Sequence, residues 1–431
     1  VAGDGKPLYF SIITLGCKVN QYESDRIRER LLHYGFCEAP PGQEADACIV
    51  NTCAVTREAA RKSRQMLRRA GRLAPGGRLF AAGCAAEMPG EFLSGLNENV
   101  VMLGNRDKDN LADFIAASFQ VPPSPLPPPV SRGRIRAYLK VQDGCDHFCS
   151  YCIIPRLRGR SRSRNPGEVL AEMQKLQEAG FQEVVITGIH LGDYGKGTNP
   201  KTDLPGLLEM LLLNTSIPRI RLSSLEPMDF SFGLLPLFEK HKRLCRHLHL
   251  PLQHASDAIL QKMGRDYALK DYDRIITSAI DSLPGMNVTT DIMAGFPGEA
   301  DEDFRILCDY VKKAPLFRLH VFPFSLHSGV KAAGLEGFVP GGIKDERVRI
   351  LSALGREKTR QVMERCIGDT VEVLVEQQNR RGMLSGHTGN YLCVEFPGDR
   401  TLKGKIVRIK IKGISGEALY GEDPEPAGNG R

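Results

Sequence analysis

"DGCDHFCSYC", residues 143–152, sets three cysteines in the spacing Cys-x3-Cys-x2-Cys, at Cys145, Cys149 and Cys152. A closed zinc site or a fully ligated iron–sulfur cluster takes four protein ligands. A thiolate triplet on a tight loop can instead hold three corners of a cubane and leave the fourth iron open to a ligand that is not protein. Two other readings share the spacing: a zinc knuckle completed by His147, or a cluster closed by a remote cysteine. The loop follows "AYLKVQD", which reads as the first strand of a βα series, so its position decides the fold of the segment that follows.

Downstream, "EVVITGI", "RIRLSSLEP", "HLHLPLQ", "NVTTDIMAG" and "RLHVFPF" give five more strand-like runs separated by helix-like segments. Six such units predict a (β/α)6 partial TIM barrel over 131–365. Polar and glycine residues gather at the strand ends: Gly188, Glu226, Gln253, Asp291, Gly295 and Glu299. Parallel α/β architectures build their sites there. His190, His249 and His254 near those ends read as hydrogen-bonded scaffold.

Upstream, "VPPSPLPPPV" (121–130) has six prolines in ten residues and reads as a stiff linker. It sets off an N-terminal domain, 1–120, in which "LYFSIITLGC", "DACIVNTC" and "GRLFAAGC" each lead into a helix-like stretch. This alternation predicts a parallel α/β sheet with helices on both faces. Each of the three strands ends in a cysteine: Cys17, Cys53 and Cys84. If the strands are neighbours, all three thiols leave one edge of the sheet, where helix N-termini lower thiol pKa. Cys37, Cys48, Cys245, Cys308, Cys366 and Cys393 follow no such pattern and read as small buried residues. From about residue 366 short alternating runs, "TVEVLVEQ", "NYLCVEF" and "KIVRIKIKG", predict a small β-barrel to residue 431.

Composition narrows the class. With 42% hydrophobic and 25% charged residues in 431, the chain can bury sizeable cores. Twelve cysteines are too dilute for a disulfide scaffold, which favours metal binding in a reducing compartment. No apolar run approaches the roughly 18–20 residues of a membrane span, and the expectation is a soluble, cytoplasmic protein with no membrane partner. The net charge is +7, and residues 131–164 alone carry nine cationic side chains against two aspartates. Arg156, Arg158, Arg160, Arg162 and Arg164 alternate after the cysteine loop, while Lys403, Lys405, Arg408, Lys410 and Lys412 alternate near the C-terminus. Guanidinium forks match phosphate oxygens, so both stretches are candidate RNA contacts.

The three-cysteine loop, with Tyr151 before its last thiol, resembles that of radical S-adenosylmethionine enzymes. Such a resemblance implies a [4Fe–4S] cluster on Cys145, Cys149 and Cys152 whose open iron takes the amino and carboxylate groups of S-adenosylmethionine. Tyr151 and Gly188 would then lie by the cofactor, with Gly188 at its methionyl end. Glu226 would make polar contacts to it, and Asp291 and Gly295 would form a wall near its adenine. Over nearly the whole chain, "TLGCKVNQYESD", "NTCAVT", "GCDHFCSYCIIPRLRGRSRSR", "LPLQHASDAILQKMGRDY" and "GHTGNYLCVEF" resemble the methylthiotransferases. That family implies a second [4Fe–4S] cluster on Cys17, Cys53 and Cys84 and a C-terminal TRAM barrel that binds RNA. "LGCKVN" is similar to the branch acting on N6-threonylcarbamoyladenosine at position 37 of tRNA. The chain departs from the family at "GCAAE", "PLQHAS" and "SLHSGV", near expected substrate contacts. The expectation is a tRNA methylthiotransferase served by a reductant such as flavodoxin or ferredoxin. Its alternatives are action on N6-isopentenyladenosine or a ribosomal-protein aspartate, or a non-catalytic iron–sulfur RNA-binding protein.

Overall fold

A computed structural model describes residues 6–40, 42–73, 76–88, 100–122, 134–327, 329–379, 382–422 and 424. Most of the proline-rich linker, Arg132 and the helix expected soon after Cys84 fall outside the described residues. The chain packs as two compact units: 1–134 with 143–161 and 325–330, and 135–142 with 162–324 and 331–431. The cysteine loop 143–161 thus belongs spatially with the N-terminal sheet, while the C-terminal barrel shares a unit with the central strands.

In the first unit, strands β1 (Tyr9–Thr14), β2 (Cys37–Glu38), β3 (Ala47–Thr52), β4 (Arg78–Gly83) and β5 (Val100–Leu103) form a parallel sheet in the order β2-β1-β3-β4-β5. Helices α1 (Lys18–His33), α2 (Arg57–Leu73) and α3 (Leu111–Ser118) cover its faces. One face packs through Phe10, Leu31, Ile49, Phe80, Leu111 and Ile115, the other through Val50, Leu67, Leu79 and Ala81. Every residue of β3, "ACIVNT", is buried, as a central parallel strand requires. Because β1, β3 and β4 are neighbours, the segments that follow them emerge side by side at one sheet edge. The cysteine loop carries one short helix, α4 (Ile154–Arg158).

The second unit begins with β6 (Ala137–Lys140). Two short strands, β7 (Gln142–Asp143) and β8 (Arg162–Ser163), bracket the loop in sequence. Then come β9 (Glu183–Thr187), β10 (Arg219–Leu222), β11 (His247–His249), β12 (Asn287–Ala294) and β13 (Arg318–Pro323). The ladders β6-β9-β10 and β11-β12-β13 are parallel, and the bridges Ile220–Leu244 and Ser224–His249 join them into one six-stranded open wall. Helices α5 (Pro166–Glu178), α6 (Leu204–Asn214), α7 (Leu234–Lys240), α8 (Asp257–Met263), α9 (Leu269–Ser282) and α10 (Asp301–Lys313) supply the crossovers. This is the expected (β/α)6 partial barrel.

A 25-residue helix, α11 (Gly341–Arg365), leads to the C-terminal barrel. Its strands are β14 (Thr370–Gln378), β15 (Leu384–Thr388), β16 (Cys393–Phe396), β17 (Ile406–Ser415) and β18 (Ala418–Gly421), closed in the order β14-β15-β16-β18-β17. Its core of Val373, Leu384, Phe396, Ile409 and Leu419 also takes in Phe317, just before β13, and Met363 of α11. On β17 Ile409 and Ile411 point inward while Arg408, Lys410 and Lys412 face outward. Lys403 and Lys405 are exposed too, but in the turn before β17 and not on the strand. No disulfide joins any of the twelve cysteines. Cys48, Cys245 and Cys308 are buried as expected; Cys37 is exposed at the sheet's edge strand, contrary to expectation.

Candidate cluster sites and the barrel interior

Cys17 stands immediately before α1, Cys53 directly follows β3, and Cys84 directly follows β4. Asn20, one turn into α1, ties the first two loops together: its Nδ2 donates to the carbonyls of Leu15 (2.7 Å) and Thr52 (2.8 Å). Thr52 ties the second to the third, since its hydroxyl donates to Ala82 O (2.6 Å) and accepts from Ala85 N (3.0 Å). Ser63 of α2 donates to the Cys53 carbonyl at 2.6 Å and accepts from its N–H at 3.0 Å. Gly16, at φ +93°, packs so tightly on Cys53 that an added Cβ would lie 2.6 Å from the cysteine Cβ. Thus "LGCKVN" and "NTC" encode the hydrogen bonds that aim three thiols at one place. Burial, with smaller contributions from Cys84 and Cys17, pushes the Cys53 thiol up to about 11.

In the loop of the second triplet, Cys145 N donates to Gly159 O (3.1 Å) and Cys152 N to Cys149 O (3.0 Å). Gly144 adopts φ +74°, and a Cβ there would sit 2.0 Å from Arg160 O, so the loop closes only with glycine before its first cysteine. Tyr151 is half-buried and Phe148 exposed.

Arg158 joins the two triplets within the first unit. It is 3% exposed, not the surface phosphate contact that arginine alternation predicts. Its guanidinium lies 3.1 Å from Glu23 and 3.0 Å from Asp143, and it donates to Asn20 Oδ1. Burial alone would weaken its charge, but Glu23 and Asp143 hold it well above the ordinary value, with help from Cys84 and Cys17. Lys108 also pairs with Glu23. Asn105 Nδ2 donates to Leu157 O (2.7 Å) and lies 3.9 Å from Cys84 Sγ. Helix α4, two residues beyond Cys152, is therefore pinned to the helix that follows Cys17. Polar residues one and two turns after Cys17, on a face that should be core, were the unused signal for this network.

Each triplet fits an iron–sulfur cluster. Thiols are the donors such clusters take, and no further cysteine joins either set through the contacts described. Among the described residues, the groups whose ligand atoms all come within 4.8 Å of one another include neither triplet, so neither is drawn in around a single ion.

In the second unit, Gly188 lies against Gln142, whose side chain a Cβ would approach to 2.9 Å. Glu226 pairs with Arg265. Gly295 N donates to the buried Glu299 carboxylate (2.6 Å), which Arg347 also holds (2.7 Å), so this strand end is a fixed turn. Arg156, Arg160 and Arg162 are exposed; Arg164 is half-buried and pairs with Glu172 (2.8 Å).

The strand faces of β11–β13 can be told apart. Thr290 contacts Tyr272 of α9, and Leu319 packs under Gly355 of α11, so Thr290 and Leu319 face the helices. Thr289, Asp291, His247, His249 and His320 alternate with these and face the concave interior. There His249 Nδ1 lies 2.8 Å from Thr289 Oγ1, and its Nε2 is 3.2 Å from Asp291 Oδ1. His320 Nδ1 reaches the same oxygen at 3.1 Å, and the two rings stack 5.3 Å apart. Burial would raise the Asp291 carboxyl, but both histidines outweigh it and hold it below the ordinary range.

At the strand starts the C-terminal barrel closes this interior. Glu183, fully buried, pairs with Arg221 (2.7 Å) and Arg136 (3.0 Å) and lies 3.8 Å from Arg219. Arg221 donates to the carbonyls of Thr388 (3.1 Å) and Gly389 (2.9 Å), and Arg219 to those of His387 (3.1 Å) and Glu372 (2.8 Å). Tyr391, at φ +74°, stacks with His247 (4.7 Å) and with His387 (5.0 Å).

Comparison with known proteins agrees with this architecture. Residues 139–311 match the Radical SAM superfamily, 364–422 the TRAM domain, and 9–104 an uncharacterized family, UPF0004. The threonylcarbamoyladenosine tRNA methylthiotransferase MtaB of Bacillus subtilis is 34% identical, covering 92% of each chain. Its namesake from Chlamydia pneumoniae is 35% identical over 96% of this chain and 97% of its own. A tRNA-2-methylthio-N(6)-dimethylallyladenosine synthase of Pelotomaculum thermopropionicum is 33% identical over 94% and 95%. Among solved structures, the radical S-adenosylmethionine methyltransferase TsrM of Kitasatospora setae superposes with a TM-score of 0.55 at 15% identity, covering 88% of this chain and 81% of that one, a likeness of fold. With thiol triplets in both matched regions and relatives above 30% identity end to end, the chain belongs to the tRNA methylthiotransferases of the radical S-adenosylmethionine superfamily.

Proposed function

We propose that this enzyme converts N6-threonylcarbamoyladenosine at position 37 of tRNA to its 2-methylthio derivative, in the cytoplasm, with electrons from a flavodoxin- or ferredoxin-like reductant. One observation carries the reading: two thiol triplets lie in one compact unit, tied together through Arg158. Cys145, Cys149 and Cys152 would hold the radical cluster, and Cys17, Cys53 and Cys84 the auxiliary one. When bound, the clusters supply the electron that breaks the sulfonium of S-adenosylmethionine and the sulfur that is transferred. The chain's own residues set positions. Asn20, Thr52 and Ser63 fix the three auxiliary loops, Gly144 closes the radical loop, and the Arg158 ion pairs keep one loop registered on the other. Tyr151, Gly188, Glu226 and Gly295 would line the cofactor. Carbon 2 of adenine is neither acidic nor electrophilic enough for ordinary acid–base chemistry, which is why radical activation suits it. The segments 1–120, 131–365 and 366–431 would serve as sulfur-donor, radical and RNA-binding parts. Arg156, Arg160, Arg162 and Arg164, with Lys403, Lys405, Arg408 and Lys410, would meet phosphates of the folded anticodon arm.

Nucleoside mass spectrometry of tRNA from cells lacking the protein tests the substrate. Loss of 2-methylthio-N6-threonylcarbamoyladenosine is expected; loss of the methylthio group from isopentenyladenosine instead would assign the other branch. Cys149→Ala should abolish 5′-deoxyadenosine formation under anaerobic reduction. Cys53→Ala should retain it while losing thiomethylated product.

A further inference from the structure

The concave face of β11–β13 carries a cluster of polar side chains. Three of its ionisable side chains, His249, Asp291 and His320, come from three adjacent strands and meet at one carboxylate oxygen. The group is layered by exposure. His249 is largely buried and fixed on its other nitrogen by Thr289, whose hydroxyl also meets His247 at 3.0 Å. His320 is half exposed, and among the described residues nothing pairs with its Nε2.

We propose that His249, Asp291 and His320 form the subsite for the N6 substituent of the target adenosine, and that it selects a substituent bearing a carboxylate, a hydroxyl and urea N–H groups over a hydrocarbon one. The proposal rests on the reading that threonylcarbamoyladenosine is the substrate. It assigns Asp291 to the RNA substrate, where the resemblance would put it beside the cofactor's adenine. The Asp291 carboxylate accepts from N–H or O–H. The imidazole of His320 donates to a carboxylate when it carries both protons and accepts from a hydroxyl when it carries one. A dimethylallyl group offers none of these partners. Its entry would strip water from a carboxylate and two imidazoles and give nothing back, which is how a hydrogen-bonding pocket rejects an apolar isostere.

The test measures binding of anticodon stem-loops to the anaerobically reconstituted enzyme by fluorescence anisotropy. The loops carry threonylcarbamoyladenosine, dimethylallyladenosine or plain adenosine at position 37. The wild type should prefer the threonylcarbamoyl loop over both others. His320→Leu, at a half-exposed position, should cut that preference about tenfold, the effect of one charge-assisted hydrogen bond. His320→Asn, which restores a donor and an acceptor, should recover part of it. His249→Gln should weaken the preference in the same direction. A preference untouched by both His320→Leu and His249→Gln overturns the subsite and leaves the proposed function standing. A wild type that favours the dimethylallyl loop, or does not discriminate, overturns the subsite at once; in the first case the substrate reading falls with it.

Discussion

In each unit a buried glutamate gathers more than one cation, Glu23 in the first and Glu183 in the second, and the two are balanced differently. Around Glu23 the partners are Arg158 and Lys108, with Asp143 as a second anion, so the charges cancel among segments of the first unit. Glu183 faces three arginines, and the surplus is met by four main-chain carbonyls of the C-terminal barrel and by Glu376. Burial would raise the Glu183 carboxyl, but Arg221 and Arg136 hold it below its ordinary value. The first network is complete once the cysteine loop has packed. The second is complete only when the C-terminal barrel is seated. That barrel is therefore a structural half of its unit and not a tethered accessory.

The sharpest way to break this contrast is to delete residues 366–431. A tethered accessory could be removed cleanly. Here the deletion strands Arg219 and Arg221 and uncovers Phe317 and Met363, so soluble yield and protection from limited proteolysis should collapse across the second unit. A well-folded truncated protein would refute the contrast. Single substitutions come next. Arg158→Met and Arg221→Met each leave a buried carboxylate short of its main partner and should cost about 3–5 kcal/mol in denaturant unfolding. Only Arg158→Met should also lower retained iron. If Arg221→Met lowers iron equally, the two networks are not separate.

The smallest effect concerns a third buried group. His254 is fully buried and accepts from Ser256 N at Nδ1 (2.9 Å), and burial pushes it down to about 4. Below pH 6.5 the unfolded chain takes up a proton that the folded chain refuses, so stability is full above 6.5 and declines until about 4. At pH 5 the loss is about 2 kcal/mol. His254→Asn should flatten the change in denaturant midpoint between pH 7 and pH 5, and an unchanged slope would place the pH sensitivity elsewhere.

The sequence made some of this legible for physical reasons. Strand-then-cysteine recurring three times is a topological signal, because parallel neighbours deliver their ends to one edge, and β1, β3 and β4 are such neighbours. The six barrel strands were visible as apolar runs bounded by glycine and proline. Arg158 was misread because alternation with arginine looks the same whether the side chain ends in water or between Glu23 and Asp143; only the fold of the loop onto α1 distinguishes them. His249 and His320 lie 71 positions apart in the chain and meet only through the β11-β12-β13 order. No local spacing announces such a pair.

Tyr391 gives the docked barrel a mechanical role. Its ring stacks with two imidazoles, and the guanidinium groups of Arg221 and Arg136 lie 4.7 and 5.5 Å from its centroid. The turn that carries it cannot lift away without unstacking His247, which shares the Thr289 hydroxyl with His249. A displacement of that turn is thus delivered, through one ring and one hydroxyl, to the strands that carry His249 and Asp291.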